Sequence, residues 1–102
     1  MTVRFWQDNP DAPFGTLLWM VEAHCHPEAD ADAYPALKRL VRRTDVPDVP
    51  RFKEQLIAAI REPERLPNGA LFRAAEYSDG SAEKFLARLW RDLYPDEPLP
   101  SA

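Results

Sequence analysis

Ser81-Ala82-Glu83-Lys84-Phe85-Leu86-Ala87-Arg88-Leu89-Trp90-Arg91-Asp92-Leu93-Tyr94 is the stretch that decides the fold. Phe85, Leu86, Leu89, Trp90, Leu93 and Tyr94 recur with a period of 3.6 residues, which puts all six on one face of a helix. Glu83, Lys84, Arg88, Arg91 and Asp92 take the opposite face. The Ser81 hydroxyl is suited to accept from a free N–H of the first turn. Arg88 and Asp92 stand four apart and can pair weakly, and Pro95 ends the segment. A helix that turns two large aromatics inward needs the rest of the chain to cover them. The spacing therefore predicts an all-α fold with this last helix, 82–94, at its centre.

The segments before it repeat the same period. Phe14, Leu17, Leu18, Val21 and Cys25 form a second stripe, widened by Trp19 and Met20 and ending before Pro27. Gly15 weakens that helix by about 1 kcal/mol relative to Ala. Asp32 is placed to cap a helix that points Tyr34, Leu37, Leu40 and Val41 inward, with Pro35 tolerated in its first turn. Lys38, Arg39, Arg42 and Arg43 fall on its solvent side near the C-terminal end, where cations suit the dipole. Asp48 is placed to cap a helix with the stripe Phe52, Leu56, Ile57, Ala59 and Ile60, bracketed by Pro63 and Pro67. Asn68-Gly69 is a turn before a short helix over 70–76. Val3 and Phe5 alternate with Arg4 and Trp6, and without a partner strand they read as an irregular or helical lead-in. The expectation is a compact bundle of four to five short helices over residues 1–95, one domain, followed by a frayed Pro-rich tail over 96–102.

Composition bounds the function. The 102 residues carry a net charge of −4 with 45% hydrophobic residues, which suits one globular domain. Residues 1–36 hold a single base, Arg4, against six acids, a net of −5. Residues 37–65 carry +3 and residues 66–102 carry −2. An acidic first third beside a basic middle argues against general affinity for nucleic acid or an anionic membrane. The single cysteine, Cys25, excludes an internal disulfide. No run of apolar residues approaches a membrane span, and the start lacks the pattern of a secretion signal. A cytoplasmic protein is the expectation.

The residues with metal-type side chains are His24, Cys25 and His26, beside Glu22, Glu28, Asp30 and Asp32. Consecutive helical residues splay by about 100°, and zinc sites pair their ligands at repeated offsets. No other Cys or His exists to complete such a set. The reading preferred here packs Cys25 inward and leaves both histidines at a helix end; a small metal-binding domain using His24, Cys25 and His26 is the alternative. No nucleophile–base pair, phosphate loop or buried carboxylate pair is evident, so no catalytic residues and no cofactor are expected. Lys38, Arg39, Arg42 and Arg43 read as a solvated face. Trp6, Trp19, Phe72 and Trp90 read by default as core, although Trp6 and Trp19 adjoin the acidic stretch and an aromatic–acidic surface suits a protein partner.

Two segments resemble a known group. Tyr34-Pro35-Ala36-Leu37-Lys38-Arg39-Leu40 is similar to the aromatic-Pro-x-Leu segment of some immunity proteins from bacterial contact-dependent growth inhibition systems. Asp79-Gly80-Ser81 with Phe85-Leu86 and Trp90 resembles the closing helix of such domains. Together they span about a third of the chain, and the acidic stretch lies earlier than in that pattern. The resemblance implies a general role only: a non-catalytic, antitoxin-like module that binds a protein partner, here through Trp19, Glu22, Glu28, Asp30 and Asp32. A self-assembling accessory protein is the duller alternative.

Overall fold

Gly15–Cys25 is the most apolar helix of the chain, and it sits at the centre of the fold. The computed structural model describes residues 5–9, 12–67 and 69–100. Among them run six α-helices: α1 (Phe5–Asp8), α2 (Gly15–Cys25), α3 (Ala33–Leu40), α4 (Asp48–Arg61), α5 (Ala70–Ala75) and α6 (Ala82–Leu93). A short 3-10 turn, Pro63–Arg65, follows α4. The all-α bundle read from the sequence is the architecture, with the lead-in adding one short helix. Residues 1–4, 10, 11, 68, 101 and 102 lie outside the described residues, so the lead-in before Phe5, the Asn68 half of the expected Asn68-Gly69 turn and the last two residues of the tail fall there. The Cα radius of gyration is 12.7 Å, what a single domain of this length gives at about 13 Å.

The expectation that the last helix is central is corrected. Helix α2 packs against α1, α3, α4 and α5, whereas α6 lies against α4 and α3. The reason is in the side chains. Leu17, Leu18 and Val21 are fully buried, and Gly15, Thr16 and Met20 are buried with them. A helix that is apolar almost all round belongs inside, while one narrow stripe suits a helix with a wet outer face. Helix α6 is of that second kind. Its stripe buries Phe85, Leu86, Leu89, Trp90, Leu93 and Tyr94 as the spacing predicts. The Lys84 N–H donates to Ser81 Oγ at 3.2 Å, so the predicted cap is made.

The other two predicted caps are not made. Asp32 precedes α3 with helical backbone angles and no side-chain bond to the first turn, and Asp48 is already the first residue of α4. Helix α2 is capped from a distance instead: the Leu17 N–H donates to Gln55 Oε1 of α4 at 2.8 Å. The residue before α2, Phe14, sits in the left-handed region at φ 63°. That conformation is costly for a bulky side chain, and burial of the Phe14 ring, only 6% exposed, offsets it.

Within the segment expected to be a frayed Pro-rich tail, the chain is tied back to the fold at Glu97. Lys53 Nζ pairs with Glu97 Oε2 at 2.7 Å, and Trp90 Nε1 donates to the Glu97 carbonyl at 3.2 Å. Leu99 and Pro100 lie beside Ile60, Ala87 and Arg91. Among the described residues no helix is long and apolar enough to cross a membrane.

Candidate interaction surface

The surface built by the C-terminal half of α2 and the turn after it holds the predicted binding residues. From Trp19, helical spacing puts Glu22, Ala23 and His26 on the same side. Trp19 is 51% exposed, Ala23 is exposed, and Glu22 and His26 are partly so. The chain leaves the helix at His26, which is extended at φ −63° and ψ 141°, because a following proline disfavours helical angles. A turn closes with the Ala29 N–H donating to the His26 carbonyl at 2.9 Å. Glu28, Asp30 and Asp32 then face solvent. Gln7, Glu22, Ala23, His26, Glu28 and Ala29 line one shallow polar hollow. The fold thus brings Glu22 and Glu28 together; Asp30 and Asp32 stand further along the connection, outside that hollow.

Two of the aromatics that read as core do not pack there. Trp19 and Phe72 are half exposed, at 51% and 50%. Trp6, which the sequence allowed as part of a binding surface, is fully buried. Its indole Nε1 donates to Glu22 Oε1 at 3.1 Å, and Gln7 Nε2 donates to the same oxygen at 2.6 Å. Glu22 is therefore the hinge pin between α1 and α2 as well as a surface charge. No local signal marks a bond between residues sixteen apart.

The His24-Cys25-His26 run is parted by the fold. His24 Nδ1 lies 2.9 Å from the Met20 carbonyl and donates to it. His26 Nδ1 accepts from the Glu28 N–H at 3.1 Å, so its proton rests on Nε2, which faces Glu76 Oε2 at 2.6 Å. Glu76 ends α5 in the left-handed region at φ 45°, so this contact also fastens a strained helix end. Burial pushes the Cys25 thiol up to about 12, and the nearby Arg88 guanidinium only partly opposes it. Among the described residues no three His, Cys, Asp or Glu side chains converge on a metal-sized point. The thiolate is the reactive form; native protein at pH 8 should therefore react with an aromatic disulfide reagent far more slowly than urea-unfolded protein. Equal rates would show that Cys25 is not shielded.

A second network joins α3 to α6. The Tyr34 hydroxyl donates to Asp92 Oδ2 at 2.7 Å, and burial followed by this bond pushes the phenol well above its ordinary range. Arg88 grips Asp79 through two bonds of 2.7 and 3.0 Å and reaches Asp92 at 3.9 Å. The Arg88 hydrogen bond holds the Asp79 carboxyl below its usual range. A depressed carboxylate contributes stability above its unfolded pKa of about 3.9 and loses it as pH falls through the folded value. Asp79→Asn should therefore lower stability at pH 7 and flatten the acid side of the stability curve below about pH 4. Urea melts at pH 7, 4 and 3 check this; parallel curves for both proteins would contradict it. On the basic face, Arg43 pairs with Asp45 at 2.6 Å, while Lys38, Arg39 and Arg42 are exposed.

No family model, curated protein or solved structure matches this chain.

Proposed function

We propose that this chain is a non-catalytic protein-binding module of the immunity or antitoxin kind, which occludes a basic toxin partner through the face around Trp19. The observation that carries the reading is Trp19 itself: a large aromatic left 51% exposed beside Glu22 and ahead of the exposed Glu28, Asp30 and Asp32. Exposed tryptophan is the side chain most often found as an interface anchor. The carboxylates would raise the rate of encounter with a cationic surface and disfavour acidic competitors. Covering the partner's active site, rather than altering it chemically, would then be the mechanism.

The test is kinetic. A basic protein co-isolated with this chain from its own host is purified, and association is followed at low and high ionic strength. Glu28→Gln, Asp30→Asn and Asp32→Asn combined should slow association about tenfold at low salt and flatten its salt dependence. These positions are exposed, so the fold should tolerate the changes. Trp19→Ala should instead speed dissociation, weakening binding by about thirtyfold or more, as for a hot-spot residue. An association rate unmoved by the triple change would reduce the acidic stretch to a solvated loop.

A further inference from the structure

His26 joins two parts of the fold through the two nitrogens of one ring. Its Nδ1 accepts from the Glu28 backbone N–H at 3.1 Å, and its Nε2 lies 2.6 Å from Glu76 Oε2 at the end of α5. Only 12% of the His26 side chain is exposed, against 47% for Glu76, so the ring has little room to turn. The turn that carries Glu28 is closed by this ring and by the Ala29 N–H on the His26 carbonyl, at 2.9 Å. The groups that face the ring are acids. Glu76 meets it from α5, Glu22 of α2 and Glu28 share its hollow, and α1 contributes the neutral Gln7 there. From α6, Arg88 acts on the neighbouring Cys25 and is itself held by Asp79.

We propose that His26 is a pH-operated latch for this turn, and thereby a regulator of the acidic face: neutral, it grips the Glu28 amide; protonated, it lets that amide go. A neutral imidazole has one nitrogen free to accept, and here it is Nδ1. An arriving proton binds there, and Nδ1–H and the Glu28 N–H are then two donors pointed at each other. One of the two ring contacts has to break. A charge-assisted hydrogen bond is about twice as strong as a neutral one, so the imidazolium keeps Glu76 and releases Glu28. The turn loses its side-chain grip, and a positive charge appears among Glu22, Glu28 and Glu76. Both changes weaken the face for a cationic partner. That consequence rests on the role proposed above for the face; the latch itself does not, and it is tested on the free chain.

The experiment is nuclear magnetic resonance on the isotopically labelled full chain, titrated from about pH 8 to about pH 5, the span in which imidazoles change charge. At the alkaline end the His26 ring should carry its proton on Nε2, and a coupling across the hydrogen bond should link Nδ1 to the Glu28 amide nitrogen. At the acid end that coupling should vanish, and the Glu28 and Ala29 amide signals should move with the same midpoint as the ring. His24, whose Nδ1 donates to the Met20 carbonyl, shows the opposite tautomer and so distinguishes the two rings. Glu76→Gln removes the charge that retains the imidazolium and should move the transition to lower pH. His26→Gln should leave the Glu28 amide without that transition, whereas Glu28→Gln, which keeps the backbone N–H, should retain the coupling. Circular dichroism establishes that the three variants stay folded. With a basic partner in hand, association at about pH 5.5 should be about threefold slower than at about pH 7.5, and His26→Gln should abolish the difference. The latch is overturned by a proton on Nδ1 at the alkaline end, by a coupling that survives in acid, by a Glu28 amide that ignores the ring's titration, or by a Glu76→Gln midpoint that does not move. A latch that operates in the free chain while association ignores pH overturns its regulatory role and counts against the acidic face as the interface.

Discussion

Trp90→Ala is expected to lower the stability of this fold by about 3–5 kcal/mol, the range for truncating a buried tryptophan. Trp90 is 2% exposed on the inner face of α6. Its ring packs on Tyr94 with centroids 4.7 Å apart, and Lys53 Nζ lies 5.9 Å from the ring. The indole N–H also holds the Glu97 carbonyl. Truncation therefore opens a cavity, strips an aromatic contact, and removes one of the bonds that holds the segment after α6. For a domain with about 5–15 kcal/mol in all, the loss should move the urea midpoint far enough to be unmistakable. Trp90→Phe separates the parts: it keeps most of the packing and loses only the N–H. Its cost should stay near 1–2 kcal/mol, while protease cleavage after residue 94 rises in both variants. A Trp90→Ala melt within about 0.5 kcal/mol of wild type would mean that α6 does not depend on this side chain.

How far the fold is legible in the sequence depends on the kind of signal. Helix α6 is legible because its apolar positions occupy one face only, and Ser81 makes the cap that its position suggests. The centrality of α2 is harder to see, because a helix apolar around most of its circumference produces no clean stripe. Its wet side is marked faintly: Glu22, Ala23 and His26 fall three, four and seven residues after Trp19. Weighing those neighbours would have turned Trp19 outward. The caps at Asp32 and Asp48 were plausible by residue type, but capping needs extended backbone at the right residue. Asp32 has φ −87° and ψ −2°, and the residue before α4 is Pro47. The replacement, Gln55 capping α2, is set by tertiary packing across 38 residues. The candidate surface was half legible for the same reason. Charge and exposure of Glu28, Asp30 and Asp32 follow from a polar connection, while the engagement of Glu22 by Trp6 and Gln7 depends on how α1 docks.

That docking is the subject of the other large effect. Trp6→Ala should cost about 3–5 kcal/mol. Four residues of helix cannot hold themselves together in water, so α1 exists because something pins it to α2. Trp6 is fully buried, is met edge-on by Phe5 at 5.3 Å and 81°, and donates to Glu22 across the helix pair. Removing the indole should release the whole lead-in: amides of residues 5–9 should lose hydrogen-exchange protection along with the drop in the urea midpoint. Trp6→Phe tests which part of the side chain matters. It retains an aromatic ring and gives up the N–H, and Glu22 keeps its bond from Gln7, so the penalty should fall to about 1–2 kcal/mol. Glu22 would then be less firmly oriented at the surface. If Glu22 contributes to partner encounter, Trp6→Phe should alter binding with little loss of stability, whereas Trp6→Ala should alter both. A Trp6→Ala protein that keeps its midpoint and its protection at residues 5–9 would show that α1 is held by the contacts of Phe5 and Gln7 alone.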